Sequence, residues 1–257
     1  MKSLDDLIKT IAKLRSPKGC PWDKVQTHKT LKRYLIEETY EAIDAIDNKD
    51  PEALMEELGD VLLQIVLHSQ IASENKHFSI NDVARNINKK MVNRHPHVFS
   101  NVKAKTTREV MKNWEILKKK EKPDQKEIFD GIPNSLPALL KALKVSKKAS
   151  KEGFEWENEK NLWDTFHKEL KEFKQAIKSR NKTKRQEEFG DLLLMIVNLA
   201  RWYKLDPEDT LNMSIKKFIK RYTQVKKLAK DSLKDLSSEE LNKLWEKVKN
   251  KGEKNAN

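Results

Sequence analysis

The sequence predicts an all-α fold made of two tandem copies of one helical-bundle module. Three observations carry that expectation. The chain of 257 residues holds only six glycines and eight prolines, too few punctuators for a fold with many tight turns. Apolar residues recur at helical spacing, and no convincing run alternates as a strand would. A pattern of acids and apolar residues also recurs at one constant distance along the chain.

Helices are expected over 3–14, 29–47, 52–74, 80–94, 107–120, 135–151, 160–179, 183–203, 207–230 and 239–250. Asp50-Pro51 and Asp206-Pro207 each set a capping side chain before a proline at the first helical position. Ser237 with Glu240 makes a capping box before the last helix. The segments 15–28, 95–106, 121–134 and 152–158 hold Pro, Gly, Ser or Asn and read as loops.

Composition narrows the function. Charged residues make up 36% of the chain and hydrophobic ones 37%, so it is polar but can still build a core. Lys plus Arg number 53 against 40 for Asp plus Glu, a formal net charge of +13. That excess fits a nucleic acid, an anionic small molecule, or a lysine-rich composition with no ligand behind it. The single Cys20 excludes a disulfide framework and suggests a reducing compartment. Apolar stretches around Val61–Leu67 and Leu192–Val197 fall far short of the ~18 residues that span a bilayer. The opening MKSLDDLIKT has acids and no apolar core, so no signal peptide is expected. A cytoplasmic protein without membrane contact is the expectation.

The repeat is the most informative feature. Glu38, Glu41, Glu57 and Asp60 fall on Glu169, Glu172, Glu188 and Asp191 with a constant offset of 131. Ala45-Ile46 matches Ala176-Ile177, Gly59 matches Gly190, and Leu62-Leu63 matches Leu193-Leu194. After a small length change, Lys89 to Arg94 resembles Lys216 to Arg221. The expected division is a first module over 1–120, a connecting segment over 121–158 and a second module over 159–257.

Each copy holds ExxE on one helix and ExxD on the next, and residues three apart share a helix face. In a chain this charged, a lone ExxE is ordinarily a solvated face. Here Leu31, Leu35, Ala42 and Ala45 lie on the side of Glu38 and Glu41, and Leu162, Phe166, Phe173 and Ala176 flank Glu169 and Glu172. Leu54 and Val61 bracket Glu57, while Leu192, Met195 and Leu199 accompany Glu188. The acids interrupt apolar stripes.

Carboxylates turned toward a helix interface cannot stay ionised and unpaired. Lysine and arginine partners, raised pKa values or hard divalent cations could neutralise them. An all-oxygen set suits Mg²⁺ or Mn²⁺, whose remaining positions go to water and phosphate oxygens. Zinc is disfavoured without Cys or His beside the acids, and a di-iron bundle would need Glu-x-x-His pairs. His95-Pro96-His97 reads as a proline-fixed turn, since two histidines alone make a poor metal site. Cys20, beside Pro21 and Trp22, reads as a packed loop residue.

Basic residues suited to phosphates follow the acids. Lys217 and Arg221 sit four apart on one helix, Lys184 one turn before Glu188, and Lys168 next to Glu169. Lys90 and Arg94 form the corresponding pair in the first module. The position matching Lys184 is Ala53, and no counterpart of the helix with Trp245 is expected to follow the first module's acids and basic pair closely. The second module is therefore expected to be the better equipped.

With these motifs the chain resembles the all-α nucleoside triphosphate pyrophosphohydrolases, specifically the two-module MazG family. The resemblance runs through Gly19 to Asp23, Glu37 to Glu41, Glu57 to Asp60, Arg94 to Phe99, Ile132 to Leu139, Gly153 to Trp156 and Gly190 to Leu193. It implies hydrolysis of NTPs or dNTPs to the monophosphate and pyrophosphate, with Mg²⁺, in a helical homodimer. Read with it, Glu169, Glu172, Glu188 and Asp191 take metal and catalytic roles, and the better-equipped second module leaves Glu38, Glu41, Glu57 and Asp60 as a second, weaker set. Lys217, Arg221, Trp245 and Lys249 match positions associated with nucleotide binding, and Lys118 resembles a further contact. Two rivals remain: a basic helical nucleic-acid-binding protein, which leaves the duplicated acids unexplained, and a nucleotide-sensing scaffold without turnover.

Overall fold

The computed structural model describes residues 2–121, 127–229 and 232–253, which form twelve helices and no strand among the described residues. The chain divides into two compact units, Met1–Pro123 and Asp124–Asn257. The first holds α1 (Lys2–Arg15), α2 (Pro21–Val25), α3 (His28–Asn48), α4 (Pro51–Glu74), α5 (Ile80–Arg94), α6 (Pro96–Phe99) and α7 (Thr107–Lys120). The second holds α8 (Ala138–Lys151), α9 (Glu159–Lys178), α10 (Lys182–Trp202), α11 (Pro207–Leu228) and α12 (Ser238–Glu253).

All ten expected helices form, with ends within three residues of those expected. Residue 230, the expected end of α11, lies outside the described residues, as do 122–126 of the expected connecting segment. The additions are α2 and α6, single turns that each start on a proline, Pro21 and Pro96. Neither is long enough for a hydrophobic period to show. The helix α8, inside the expected connecting segment, packs against α10 and α11.

Local chemistry starts the helices where the sequence indicates. Asp50 accepts from the amides of Glu52 and Ala53, both at 3.1 Å, and Asp206 accepts from those of Glu208 and Asp209 at 3.0 and 3.1 Å. The box at α12 is reciprocal: Ser237 Oγ accepts from the Glu240 amide at 3.3 Å, and Glu240 accepts from the Ser237 amide at 2.8 Å.

The two units share one packing scheme. In the first, α3 and α4 form a hairpin, α1 lies on α4, α5 follows α4, and α7 packs on α5. In the second, α9 and α10 form the hairpin, α8 lies on α10, α11 follows α10, and α12 packs on α11. The first core gathers Ile11, Leu31, Val66, Leu67 and Ile71, edged by Leu7, Ile8, Leu14, Tyr34, Leu63 and Ile80. Burial of such side chains, worth about 1.5–3 kcal/mol each, seals α1 against the hairpin.

An arginine with a largely covered side chain clamps the end of each hairpin. Arg15 grips Glu74 through Nε and Nη2 at 2.9 and 2.8 Å, and also donates to the carbonyls of Asp23 and Gln26. In the second unit Arg201 grips Glu155 at 2.5 and 2.6 Å, and its Nε donates to Ser146 at 2.6 Å. Glu155 lies in the loop after α8, where Gly153 turns the chain at φ +92°. It also accepts from Ser150 at 2.6 Å and from the Trp156 amide at 3.1 Å. The Arg201 guanidinium and these donors hold its carboxyl down at about 2.

The lower folded-state pKa means that Glu155 contributes stability above its ordinary value of 4.5 and loses it as pH falls through about 2. Glu155→Gln is expected to cost roughly 1–3 kcal/mol at neutral pH. The gap in melting temperature from the wild type should be widest above pH 5 and close toward pH 2. A third arginine clamp invites a parallel test. Buried Arg94 donates through Nε to Glu121 at 3.0 Å and lies 5.2 Å from the Trp114 ring centroid, which joins α5 to α7. Arg94→Ala should lower the first unit's stability by roughly 1–3 kcal/mol, read as faster amide exchange in α7.

Candidate active site

Two helices and a tight link build each acidic group. Only Lys49, in the left-handed region at φ 55°, and Asp50 separate α3 from α4, so the two helices run side by side. Glu38 and Glu41 stand midway along α3, one turn apart, with Ala42 and Ala45 buried beside them. From α4 comes Glu57. The carboxylates of Glu38, Glu41 and Glu57 offer oxygens that all lie within 4.8 Å of one another. In the second unit the hairpin of α9 and α10 brings Glu169, Glu172 and Glu188 equally close. Leu162 and Ala176 on α9, and Leu192 and Met195 on α10, are the buried neighbours that aim them.

Asp60 and Asp191, one turn beyond Glu57 and Glu188, stand outside these three-carboxylate groups but act on them. Burial raises the Glu38 carboxyl above its ordinary range, and the charges of Asp60, Glu41 and Glu57 add to the rise. Glu57 is raised by the same desolvation and by Glu41 and Asp60. Burial and Glu172 raise Glu169, with Asp191 and Glu188 adding to the effect and Lys168 opposing it. Like charges packed this closely favour a proton or a cation among them. The donor set is carboxylate oxygen alone, with no His or Cys in either group among the described residues, which fits Mg²⁺ or Mn²⁺ and not zinc.

The expected cations are distributed unevenly. Lys168 Nζ lies 3.7 Å from Glu169 and 3.5 Å from Glu172. Lys184 is exposed in the first turn of α10, one turn before Glu188. Lys217 and half-buried Arg221 stand on α11, while Trp245 and Lys249 come from α12, which packs on it. The Trp245 ring lies 5.4 Å from that of Phe218, next to Lys217, and Lys249 is 3.7 Å from Glu246. Among the described residues no ion pair joins Lys184, Lys217, Arg221 or Lys249 to the carboxylates.

The first unit corrects one expectation. A counterpart of the Trp245 helix does exist, inside the first module, and it is α7. Trp114, Glu115 and Lys118 precede Trp245, Glu246 and Lys249 by the same 131 residues that separate the acids. The starts match as well: Thr106 Oγ1 accepts from the Glu109 amide at 3.2 Å as Ser237 Oγ does from that of Glu240. The signal was present in the sequence. It is masked because Lys90 and Arg94 pair with Lys217 and Arg221 at an offset of 127, so the register slips and then returns. Trp114 is the residue that sequence reasoning missed. Lys118 is exposed on the same helix, and Lys90 is half-buried on α5. Arg94 has structural partners, Glu121 and Trp114, which occupy the guanidinium expected to meet phosphate.

The geometry agrees with what comparison finds. The family model described as the MazG nucleotide pyrophosphohydrolase domain matches the chain twice, over residues 26–99 and 157–226, and each match encloses one acidic group. The chain is 45% identical to the nucleoside triphosphate pyrophosphohydrolase/pyrophosphatase MazG of Thermotoga maritima, over 95% of each protein. It is 37% identical to the nucleoside triphosphate pyrophosphohydrolase of Escherichia coli K12, over 97% of this chain and 98% of that one. It is also 46% identical to the uncharacterized protein YabN of Bacillus subtilis, over 93% of this chain but only 50% of YabN. Two matched domains and full-length relatives place the chain in the MazG family of nucleotide pyrophosphohydrolases.

Proposed function

We propose that the chain hydrolyses nucleoside triphosphates to the monophosphate and pyrophosphate in a divalent-cation-dependent reaction, with the second unit as its principal centre. The observation that carries this reading is the group of Glu169, Glu172 and Glu188, oxygens within 4.8 Å, on a hairpin beside the lysine- and tryptophan-bearing α11–α12 pair. Mg²⁺, with Mn²⁺ as its substitute, would be held by these three and Asp191 and would neutralise phosphate oxygens while orienting them for in-line attack by water.

The chain's own residues supply the rest. Lys217 and Arg221, four apart on α11, meet the polyphosphate, with Lys249 one turn beyond Trp245 on α12. The Trp245 ring offers a stacking surface for the base. Lys184 and Lys168 add positive charge beside the acids. A carboxylate not engaged by the cation would accept the proton of the attacking water as the new P–O bond forms and the phosphoanhydride bond between the α- and β-phosphates breaks.

The first unit carries Glu38, Glu41, Glu57 and Asp60 with Lys90, Trp114 and Lys118, so it qualifies as a second nucleotide site. It lacks the equivalents of Lys168 and Lys184, which are Glu37 and Ala53. We assign it the lesser turnover.

A homodimer is part of the same proposal. Ile36, Tyr40 and Ile43 on α3, with Leu58, Leu62 and Ile65 on α4, recur at helical spacing and are all exposed. An apolar side this regular on a hairpin suits a second copy of the chain. The reaction belongs in the cytoplasm with the nucleotide pools, in keeping with the unpaired Cys20; among the described residues no helix is long and apolar enough to cross a membrane.

Pyrophosphate release across canonical and modified NTPs, with and without Mg²⁺, tests the activity, and nucleotide bound without release would mark a scaffold. Glu172→Gln is expected to reduce release by at least about 100-fold, and Glu41→Gln by less than about tenfold. Equal losses would contradict the assignment of the principal centre. Sedimentation equilibrium should give twice the chain mass of 30.1 kDa. Leu62→Lys should return the protein to the monomer.

A further inference from the structure

The two acidic groups match in ligands and differ in counter-ions. Lys168 Nζ lies 3.7 Å from Glu169 and 3.5 Å from Glu172, a cation already inside the second group. The residue 131 positions earlier is Glu37, so the first unit has an acid where the second has a lysine. Lys184, one turn before Glu188, is likewise replaced by Ala53. Among the described residues, Glu38, Glu41 and Glu57 have no lysine or arginine within 4.0 Å. Among the described residues, the charges that raise Glu38 and Glu57 are those of other carboxylates, whereas Lys168 acts on Glu169 in the opposite sense.

We propose that Lys168 is a built-in counter-ion that weakens divalent-cation binding at the second acidic group, leaving the first unit as the tighter cation site. The inference rests on the reading of these carboxylates as cation ligands and adds a rank order between them. A cation entering the second group must displace or repel the ammonium; one entering the first meets only negative charge. The ammonium is not wasted. Its side chain is 66% exposed, so it can swing from the carboxylates to an incoming anion. An arriving triphosphate then brings its own cation to the second unit and takes Lys168 away from Glu172. Cation and substrate thus load together at the second group, while the first is charged in advance. Lys168 is a positioning residue here, acting through the ligands.

Two ion pairs on a largely exposed side chain correspond to an effect of about three- to tenfold on cation affinity at low ionic strength, and less in salt. Mn²⁺ titration followed by electron paramagnetic resonance reads this directly on the full chain without nucleotide. The wild type should show two classes of site. Glu41→Gln should remove the tighter class and Glu172→Gln the weaker one. Lys168→Ala should tighten the weaker class by the stated factor and leave the other unmoved, and Lys168→Arg should restore the original isotherm. The reciprocal change, Glu37→Lys, should weaken the tighter class, although Arg33 one turn back already shares the charge of Glu37. Two classes that Lys168→Ala leaves unmoved, or a tighter class lost with Glu172→Gln, would overturn the proposal. Absence of stoichiometric Mn²⁺ binding in the wild type would overturn it together with the cation-site reading beneath it.

Discussion

Crowding of carboxylates between two helices is the constraint from which the rest of the structure follows. Three carboxylates with oxygens within 4.8 Å of one another repel, and partial burial raises the cost of keeping Glu38, Glu57 and Glu169 charged. The hairpins hold them there regardless, because the apolar residues around them bury together: Leu31 and Leu162 are fully enclosed, and Ala42, Ala45 and Ala176 allow the helices to approach. Core packing therefore supports an arrangement that its own electrostatics oppose. A hard cation would relieve that opposition, and such a cation is also what a triphosphate needs. Site and fold share one physical cause.

The duplication shows which features that constraint governs and which are free to drift. The ExxE and ExxD spacing, the capped helix starts and the tryptophan helix survive in both copies. The surroundings vary. Lys168 against Glu37 and Lys184 against Ala53 alter the charge near the acids without touching the ligands. Arg94 and Arg221 hold equivalent positions, yet Arg94 is buried against Glu121 and Trp114 while Arg221 stays half-buried on α11. Such substitutions can divide work between two sites of one ancestry.

Much of this was legible in the sequence because its signals are local. Asp50-Pro51 and Asp206-Pro207 name their helix starts by chemistry within four residues, and the acids announce themselves through a fixed spacing. Where the reading failed, the information was not local. Pro21–Val25 and Pro96–Phe99 are too short to display a period. Trp114 was hidden by a register that slips by four residues and recovers, which only the packing of α7 on α5 makes plain. Arg94 has the same sequence context as Arg221, and its partner Glu121 lies 27 residues away. No motif would have joined them.

The clamps at the hairpin ends differ in polarity, and that difference matters to a chain with two similar halves. In the first unit the arginine comes from α1 and the acid from α4; in the second the acid follows α8 and the arginine comes from α10. Tandem repeats are prone to mispairing, since each half offers the other a familiar surface. Were α1 to settle on α10, Arg15 would confront Arg201; were α8 to settle on α4, Glu155 would confront Glu74. Both crossed pairings would set like charges together at the spot where the native pairing seals itself, a mismatch that disfavours the swapped arrangement.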